Sequence, residues 1–250
     1  LRLWLLTSGL SLAKHVNTVA ALFESITVSL DGASAASYQA IRGLNAFDTV
    51  CRGIELAAPQ VHTTIRVTVQ RGNFRELSGL VELARRLGVA QISFLAADVS
   101  STDAFGRDAV ASRAIALQPG DLAAFELVLN DLVSRHAKEF DTGFIAESPQ
   151  KLQRLLQYYR ALSGHGDFPP VRCNAPEFSA VMEADGRVRP CFFIAGTSPA
   201  TLSLQAALES PPMSRLRAAI SAGGRSECRT CVCSMWCQPE RFAAPDFLRE

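Results

Sequence analysis

The stretch ITVSLDGASAASYQAIRG, residues 26–43, begins with six residues that are mostly apolar or β-branched. These six, ITVSLD, predict a buried β-strand, because β-branched side chains favour the extended backbone. Three further stretches predict strands: LWLLT at 3–7, HTTIRVTVQ at 62–70 and AQISFLAADV at 90–99. Segments with helical periodicity lie between them. The alternation predicts an α/β fold with a parallel sheet, which right-handed crossovers curve towards a barrel or a doubly wound sheet.

Several predicted helices have recognisable starts. Asn45 precedes a periodic apolar segment and fits an N-cap pattern. Asn73 and Glu76 have the spacing of a capping box. Further along, TGFIAES is a candidate strand, and Ser148-Pro149 predicts the start of another helix.

The character of the chain changes near residues 164–172, around GHGDFPP. The stretch FSAVMEADGRVRPCFFI, 178–194, alternates around Asp185-Gly186 and predicts a β-hairpin. Two short helical stretches and a cysteine-rich segment follow it. We therefore predict two domains, residues 1–165 and 166–250.

The composition is that of an ordinary globular protein, with 48% hydrophobic and 20% charged residues. The formal net charge is +1, from 25 basic and 24 acidic side chains. This balance argues against nucleic acid or an anionic membrane as a partner. No apolar run reaches the roughly 20 residues that span a bilayer, and the opening segment predicts a buried strand rather than an export signal. We therefore expect a cytoplasmic protein.

Seven cysteines are present, and four of them lie within CRTCVCSMWC, residues 228–237. An odd number without an export signal favours a reduced metal site over a disulfide framework. Cys173 and Cys191 flank the predicted hairpin in the pattern C-x12-G-x4-C, and Cys228-x2-Cys231 follows. Two separated cysteine pairs suit Zn²⁺ or an iron–sulfur cluster. The alternative is that Cys173 and Cys191 are small buried apolar side chains.

This cysteine pattern resembles the auxiliary-cluster region, called SPASM or twitch, of radical S-adenosylmethionine (SAM) enzymes. The first half of the chain is similar to the same family. LWLLTSGL resembles its third-strand LTNG, and ITVSLDGASAASYQAIRG its fourth-strand VSLDG…Y…IRG. TIRVTVQRGN and QISFLAADV resemble the fifth and sixth strands. The resemblance implies a partial radical SAM (β/α) barrel followed by a small, cysteine-rich cluster domain with a hairpin and helices.

Two departures qualify the resemblance. The C-x3-C-x2-C motif that holds the family's catalytic cluster is absent, and Cys51 stands alone on a predicted helix, in the core. We therefore expect a chain that begins at the third barrel strand. It is either a fragment or the product of a gene that lost the part with the catalytic-cluster motif. Arg241 replaces a cysteine of the full SPASM pattern. Since two 4Fe–4S clusters need about eight ligands, we expect one.

The resemblance also implies particular site residues. The expected cluster ligands are Cys173, Cys191, Cys228 and Cys231, with Cys233 and Cys237 spare or substituting for one of them. Ser29 matches the family's SAM-contacting serine, although a turn-capping serine is an equal alternative. Asp31 is expected to form a hydrogen bond near SAM, unless it belongs to a plain Asp-Gly turn. Arg66 is expected to meet a carboxylate, and Thr7 to face substrate. No catalytic residue is assigned.

The predicted function is therefore that of a C-terminal portion of a radical SAM enzyme, inactive alone, with one auxiliary 4Fe–4S cluster and part of a SAM site. The substrate is unknown, and a peptide or a cofactor precursor fits the family. The resemblance also implies an electron donor such as flavodoxin or ferredoxin. The alternative is a non-catalytic zinc- or cluster-binding module on a remnant α/β scaffold.

Overall fold

The computed structural model describes residues 2–99, 113–196, 203–233 and 235–238. The chain divides into two compact units. The first contains Leu1–Ala97 and Ile115–Asp167, and the second contains the remainder. Each unit is described by itself.

The first unit is built on a four-stranded parallel sheet in the order β1-β2-β3-β4. Its strands are β1 Trp4–Thr7, β2 Ser25–Ser29, β3 His62–Val69 and β4 Gln91–Ala96. All four strands predicted from the sequence are present, and the parallel arrangement of the mixed α/β fold is confirmed. The prediction that the first strand is buried is wrong, because Trp4 and Leu6 of β1 are 56% and 54% exposed. The register aligns Leu6 with Thr27, Thr27 with Thr64, and Thr64 with Gln91.

The two faces of this sheet differ in character. Buried and partly exposed residues alternate strictly along β3 and β4. The buried face consists of Ile26, Val28, Ile65, Val67, Val69, Ile92, Phe94 and Ala96. Each such aliphatic or aromatic side chain contributes roughly 1.5–3 kcal/mol when fully buried. The opposite face carries most of the polar side chains of the strands, together with Trp4, Leu6 and Leu95, and we call it the polar face.

The helices between the strands are α1 Leu12–Leu22, α2 Ala35–Arg42, α3 Phe47–Ala57 and α4 Leu77–Arg86. Helix α2 begins with a capping box between Ser34 and Ser37. The predicted cap at Asn45 is wrong, because Ala46 is the N-cap of α3 and forms no side-chain cap bond. Cys51 is buried on α3, as expected.

The first unit is completed by α5 Leu122–Arg135, α6 Ala137–Asp141 and α7 Pro149–Leu162. The start of α7 is confirmed, since the Ser148 side chain accepts a hydrogen bond from the Lys151 amide and Pro149 is the first residue. The candidate strand TGFIAES forms a single parallel bridge, between Ile145 and Ile92 of β4.

The second unit contains the predicted hairpin. Its strands β5 Val181–Met182 and β6 Val188–Arg189 are antiparallel and only two residues long. The helices are α8 Ala175–Phe178, α9 Leu204–Glu209, α10 Pro211–Ser221 and α11 Ser226–Arg229. A small core of Val188, Ala207 and Met213 packs in this unit.

No helix within the described ranges has both the length and the apolar character needed to cross a bilayer.

Candidate functional site

A row of polar side chains crosses the sheet, from the last residue of β2 to interior positions of β3 and β4. The register pairs Ser29 of β2 with Arg66 of β3, and Arg66 with Ser93 of β4. Residues that are in register on neighbouring strands point to the same face. All three are partly exposed, so the row lies on the polar face. Two of the residues expected at the SAM site, Ser29 and Arg66, are therefore neighbours.

Arg66 lies beside the Trp4 ring, and its charge also acts on the Glu147 carboxyl. Its guanidinium carbon lies 5.9 Å from the centre of the Trp4 ring, and within the described residues no carboxylate forms an ion pair with it. Trp4 itself donates a hydrogen bond to the Thr27 hydroxyl at 3.2 Å. Thr27 and Thr64 share a hydroxyl hydrogen bond of 2.7 Å. These bonds extend the polar face across β1, β2 and β3.

Asp31 is buried and engaged with its own fold. Its carboxylate forms an ion pair with Arg42 at 2.6 Å and accepts a hydrogen bond from the Thr68 amide at 2.7 Å. Burial raises the pKa of Asp31, against the opposing effects of the Arg42 charge and of the Thr68 hydrogen bond. The side chain is therefore placed to fix the segments after β2 and within β3, rather than to face a ligand.

Asn73 completes this connection. Its side-chain amide donates to the carbonyls of Asp31 and Thr68 at 2.9 and 3.0 Å, and its oxygen accepts from the Gln70 amide at 2.8 Å. The predicted capping box at Asn73 and Glu76 is therefore wrong. The Glu76 carboxylate instead accepts from the Ala33 amide at 2.9 Å. Both side chains therefore connect the segment after β3 to the segment after β2. The sequence spacing does not reveal these contacts.

Glu147 is a buried carboxylate that the sequence analysis did not identify. Its carboxylate accepts a hydrogen bond from the Phe94 amide at 2.7 Å. The carbonyl of a neighbouring strand would accept the same bond beside β4. Burial raises the pKa of Glu147, while the Phe94 hydrogen bond and the charges of Lys151 and Arg66 oppose the rise. The only sequence signal is a carboxylate at the end of the candidate strand, directly before the Ser148-Pro149 cap.

Thr7, which was expected to face substrate, accepts a hydrogen bond from the Gly9 amide through its hydroxyl at 3.1 Å.

In the second unit, cysteines surround one cavity of about 170 Å³. Its walls are otherwise largely apolar, and the cysteines that line it are Cys173, Cys191, Cys228, Cys231 and Cys233. The chain thus gathers the hairpin pair and the C-x2-C pair, as well as Cys233, around one space. Cys237 does not line this cavity.

The thiols are close enough to influence one another. Burial raises the pKa of Cys191 and of Cys228, and the pKa of Cys231 to about 12. The charges of Cys173 and Cys191 contribute to the rise at Cys228 and Cys231. A bound metal reverses this effect, since a coordinating thiol is deprotonated outright.

Among the described residues, no three His, Cys, Asp or Glu side chains are arranged to hold a single metal ion. The thiols line the wall of one cavity. A zinc ion requires four ligands within about 2.0–2.3 Å of one centre, whereas a 4Fe–4S cluster distributes four thiolates over its irons. The donor set fits a cluster in its chemistry.

Comparison with solved structures shows a likeness of fold. No protein-family model matches the chain. No curated protein matches it in sequence. The solved structure of native anSMEcpe with bound AdoMet and Cp18Cys peptide is similar, with a TM-score of 0.59 and 18% sequence identity. The likeness covers 97% of this chain and 68% of that chain. At 18% identity, the comparison shows a similarity of fold alone.

Proposed function

We propose that the chain is part of a radical SAM iron–sulfur enzyme, with a SAM site on the four-stranded sheet and one auxiliary cluster in the cysteine cavity. The observation that carries the proposal is the likeness of fold, over 97% of this chain, to a protein with bound AdoMet. The neighbouring positions of Ser29 and Arg66 support it. Parallel α/β sheets bind ligands at the carboxyl ends of their strands.

Each residue of the sheet has a defined part in this proposal. The Arg66 guanidinium pairs with the SAM carboxylate as a two-pronged donor, and the Ser29 hydroxyl donates a hydrogen bond to it. Asp31 and Asn73 hold the segments that carry these two side chains. When bound beside the family's catalytic cluster, SAM supplies a 5′-deoxyadenosyl radical that takes hydrogen from the substrate. Since these 250 residues contain no C-x3-C-x2-C, this chain alone does not cleave SAM.

The auxiliary cluster is assigned to Cys173, Cys191, Cys228 and Cys231. All four line the same cavity, which supports the assignment. Cys233 also lines it and is the replacement ligand if one of the four is not used. Cys237 is the least suited of the six, because it lies outside the cavity lining.

The substrate in this proposal is a peptide or a cofactor precursor. The similar solved structure contains a Cp18Cys peptide, which favours the peptide class. A flavodoxin or ferredoxin supplies the electron that the family's chemistry requires.

SAM binding by the full chain tests the first half of the proposal. Ser29→Ala and Arg66→Gln should each weaken SAM binding, the second by about tenfold, because a charge-assisted pair is lost. Arg52→Gln, on the exposed side of α3, is the matched control and should bind as the unchanged chain does. Equal binding by all three variants would contradict the proposed site. Dithionite and SAM should give no 5′-deoxyadenosine.

Iron content tests the second half. The anaerobically reconstituted chain should carry about four irons. Cys173→Ala and Cys228→Ala should lose them, while Cys51→Ala, in the other unit, should retain them. A colourless protein with stoichiometric zinc and no SAM binding would favour the non-catalytic metal-binding module instead.

A further inference from the structure

A second pocket of about 440 Å³ adjoins the cysteine cavity in the second unit. Cys173 and Cys228 line both spaces. The rest of its wall is mainly apolar and includes Phe168, Ile220 and Trp236. Two guanidinium groups, of Arg172 and Arg229, are the cationic part of this lining. We call this space the arginine pocket.

Arg172 is held in position by an aromatic ring. Its guanidinium carbon lies 3.8 Å from the centre of the Trp236 ring, a distance typical of a cation–π contact. Stacking occupies the flat face of the guanidinium and leaves its N–H groups at the edge free to donate. A positioned guanidinium loses less conformational freedom when it binds an anion.

Trp236 is in turn fixed by a buried amide. The Asn174 backbone N–H donates to the Met235 carbonyl at 3.0 Å. Its side chain donates to the Cys237 carbonyl at 2.7 Å and accepts the Cys237 amide at 2.9 Å. Asn174 is only 3% exposed. These three bonds hold the residues on both sides of Trp236, so the wall of the arginine pocket is built by the fold.

The charge of the pocket is positive. None of the described residues that line it is an aspartate or a glutamate. Of the nearby acids, Glu227 is paired with Arg225, and Glu177 accepts the Ser221 hydroxyl at 3.0 Å. The described lining of the arginine pocket therefore has two arginine side chains and no carboxylate.

The geometry points to a binding site for a small anion with an apolar body, whose carboxylate or phosphate meets Arg172 and Arg229 while its body lies against Trp236. The pocket has the size of small-molecule sites, and its lining combines apolar side chains with two arginines. Guanidinium groups recognise both oxyanions through paired N–H donors. That this anion is the acidic part of the substrate, held beside the cysteine thiols, rests on the function proposed above.

Fluorescence of Trp236 tests the site in the full chain. Trp4→Phe removes the other tryptophan and serves as the background for every variant. The probes are phenylacetate and phenyl phosphate, with uncharged phenylacetamide as the matched control. We expect saturable quenching by at least one anion, and binding of the amide at least about tenfold weaker. Binding by only one anion identifies which oxyanion the pocket takes.

Variants locate the binding. Arg172→Gln and Arg229→Gln should each weaken anion binding by about tenfold or more. Arg215→Gln, an exposed arginine of α10 outside the pocket lining, should not change it. Arg172→Lys keeps the charge and should recover part of the loss, and the thermal melting curve of each variant shows that it is folded. Binding should also fall as salt is added.

The proposal is overturned if the amide binds as tightly as both anions, or if Arg172→Gln and Arg229→Gln bind as the background does. Iron content and SAM binding, measured on the chain with Trp4 intact, separate this result from the proposed function. Anion binding without iron or SAM would leave the pocket standing and overturn the enzyme assignment. Iron and SAM binding without anion binding would overturn the pocket and leave the enzyme assignment standing.

Discussion

Asp31 connects the segments after β2 and within β3 from inside the protein. Its carboxylate satisfies the Thr68 amide and the Arg42 guanidinium. Asp31 contacts a terminal nitrogen of Arg42, whereas the buried Nε atom of Arg42 has no hydrogen-bond partner among the described residues. Burial raises the pKa of Asp31, while the Arg42 charge and the Thr68 hydrogen bond oppose the rise.

Asp31→Ala should lower the free energy of unfolding by about 3 kcal/mol, because it leaves the Thr68 amide and Arg42 without their acceptor. Asp31→Asn, which keeps an acceptor oxygen, should cost less. Asp131→Ala removes an exposed ion pair with Arg135 and should cost no more than about 0.5 kcal/mol. Urea denaturation measures all three. Similar losses for Asp31→Ala and Asp131→Ala would show that the buried contacts contribute little.

Glu147 links stability to pH. Its folded pKa is raised by burial, so the folded state binds the proton more tightly than the unfolded state does. The free energy of unfolding therefore decreases as pH rises from the unfolded pKa, about 4.3, through the raised folded pKa.

Glu147→Gln should remove this decrease, because the amide keeps an acceptor for Phe94 and carries no charge. The variant should be as stable as the unchanged chain or more so at neutral pH. Denaturation midpoints measured at intervals from about pH 4.5 to about pH 7 show how stability depends on pH. Glu24→Gln, at an exposed carboxylate, is the control. An unchanged pH slope in Glu147→Gln would show that this carboxyl is not the source.

At the scale of elements, the turn between β2 and α2 depends on close packing at Gly32. A Cβ atom there would lie 2.3 Å from the Tyr38 amide nitrogen and 2.6 Å from its Cα. Tyr38 is buried on α2, so the helix cannot move away without exposing it. The glycine is required by the approach of one backbone to another.

Gly32→Ala should therefore destabilise the protein by about 3 kcal/mol or more, in the range of severe overpacking. Gly120→Ala is the matched control, because a Cβ atom there meets nothing within 4 Å. That change should be neutral or slightly stabilising. Thermal melting compares the two variants, and equal melting temperatures would contradict the packing argument.

At the scale of the whole molecule, the two units depend on different forces. The first buries an apolar sheet face under helices. The second has only a small described core and holds six of the seven cysteines. Metal binding contributes free energy directly to folding, so the second unit should depend on its cluster far more than the first.

Hydrogen exchange of the full chain with and without reconstituted iron tests this dependence. Iron should slow exchange in residues 171–196 and 203–233 and leave β1 to β4 unchanged. Cys173→Ala, treated in the same way, should keep the iron-free pattern, and Cys51→Ala should follow the unchanged chain. Slower exchange throughout the sheet would show that the cluster stabilises both units.

The sequence by itself determined the strands, their order along the chain, the hairpin at Asp185-Gly186 and the start of α7 at Ser148. These features depend on neighbouring residues, because β-branched alternation, turn chemistry and capping act over a few positions. The cysteine spacing also indicated which thiols belong together, since a hairpin joins its own ends.

Only the tertiary structure decided the roles of Asn73, Asp31 and Glu147. Each has a partner far along the chain, 42, 37 and 53 residues away. Asn73 has the local pattern of a cap, but a buried carbonyl that lacks a donor costs more than an exposed helix end. Asn73 therefore forms the long-range hydrogen bond to the Asp31 carbonyl instead of capping the helix. Sequence spacing describes what a residue can do locally, and burial decides which of its hydrogen bonds must be made.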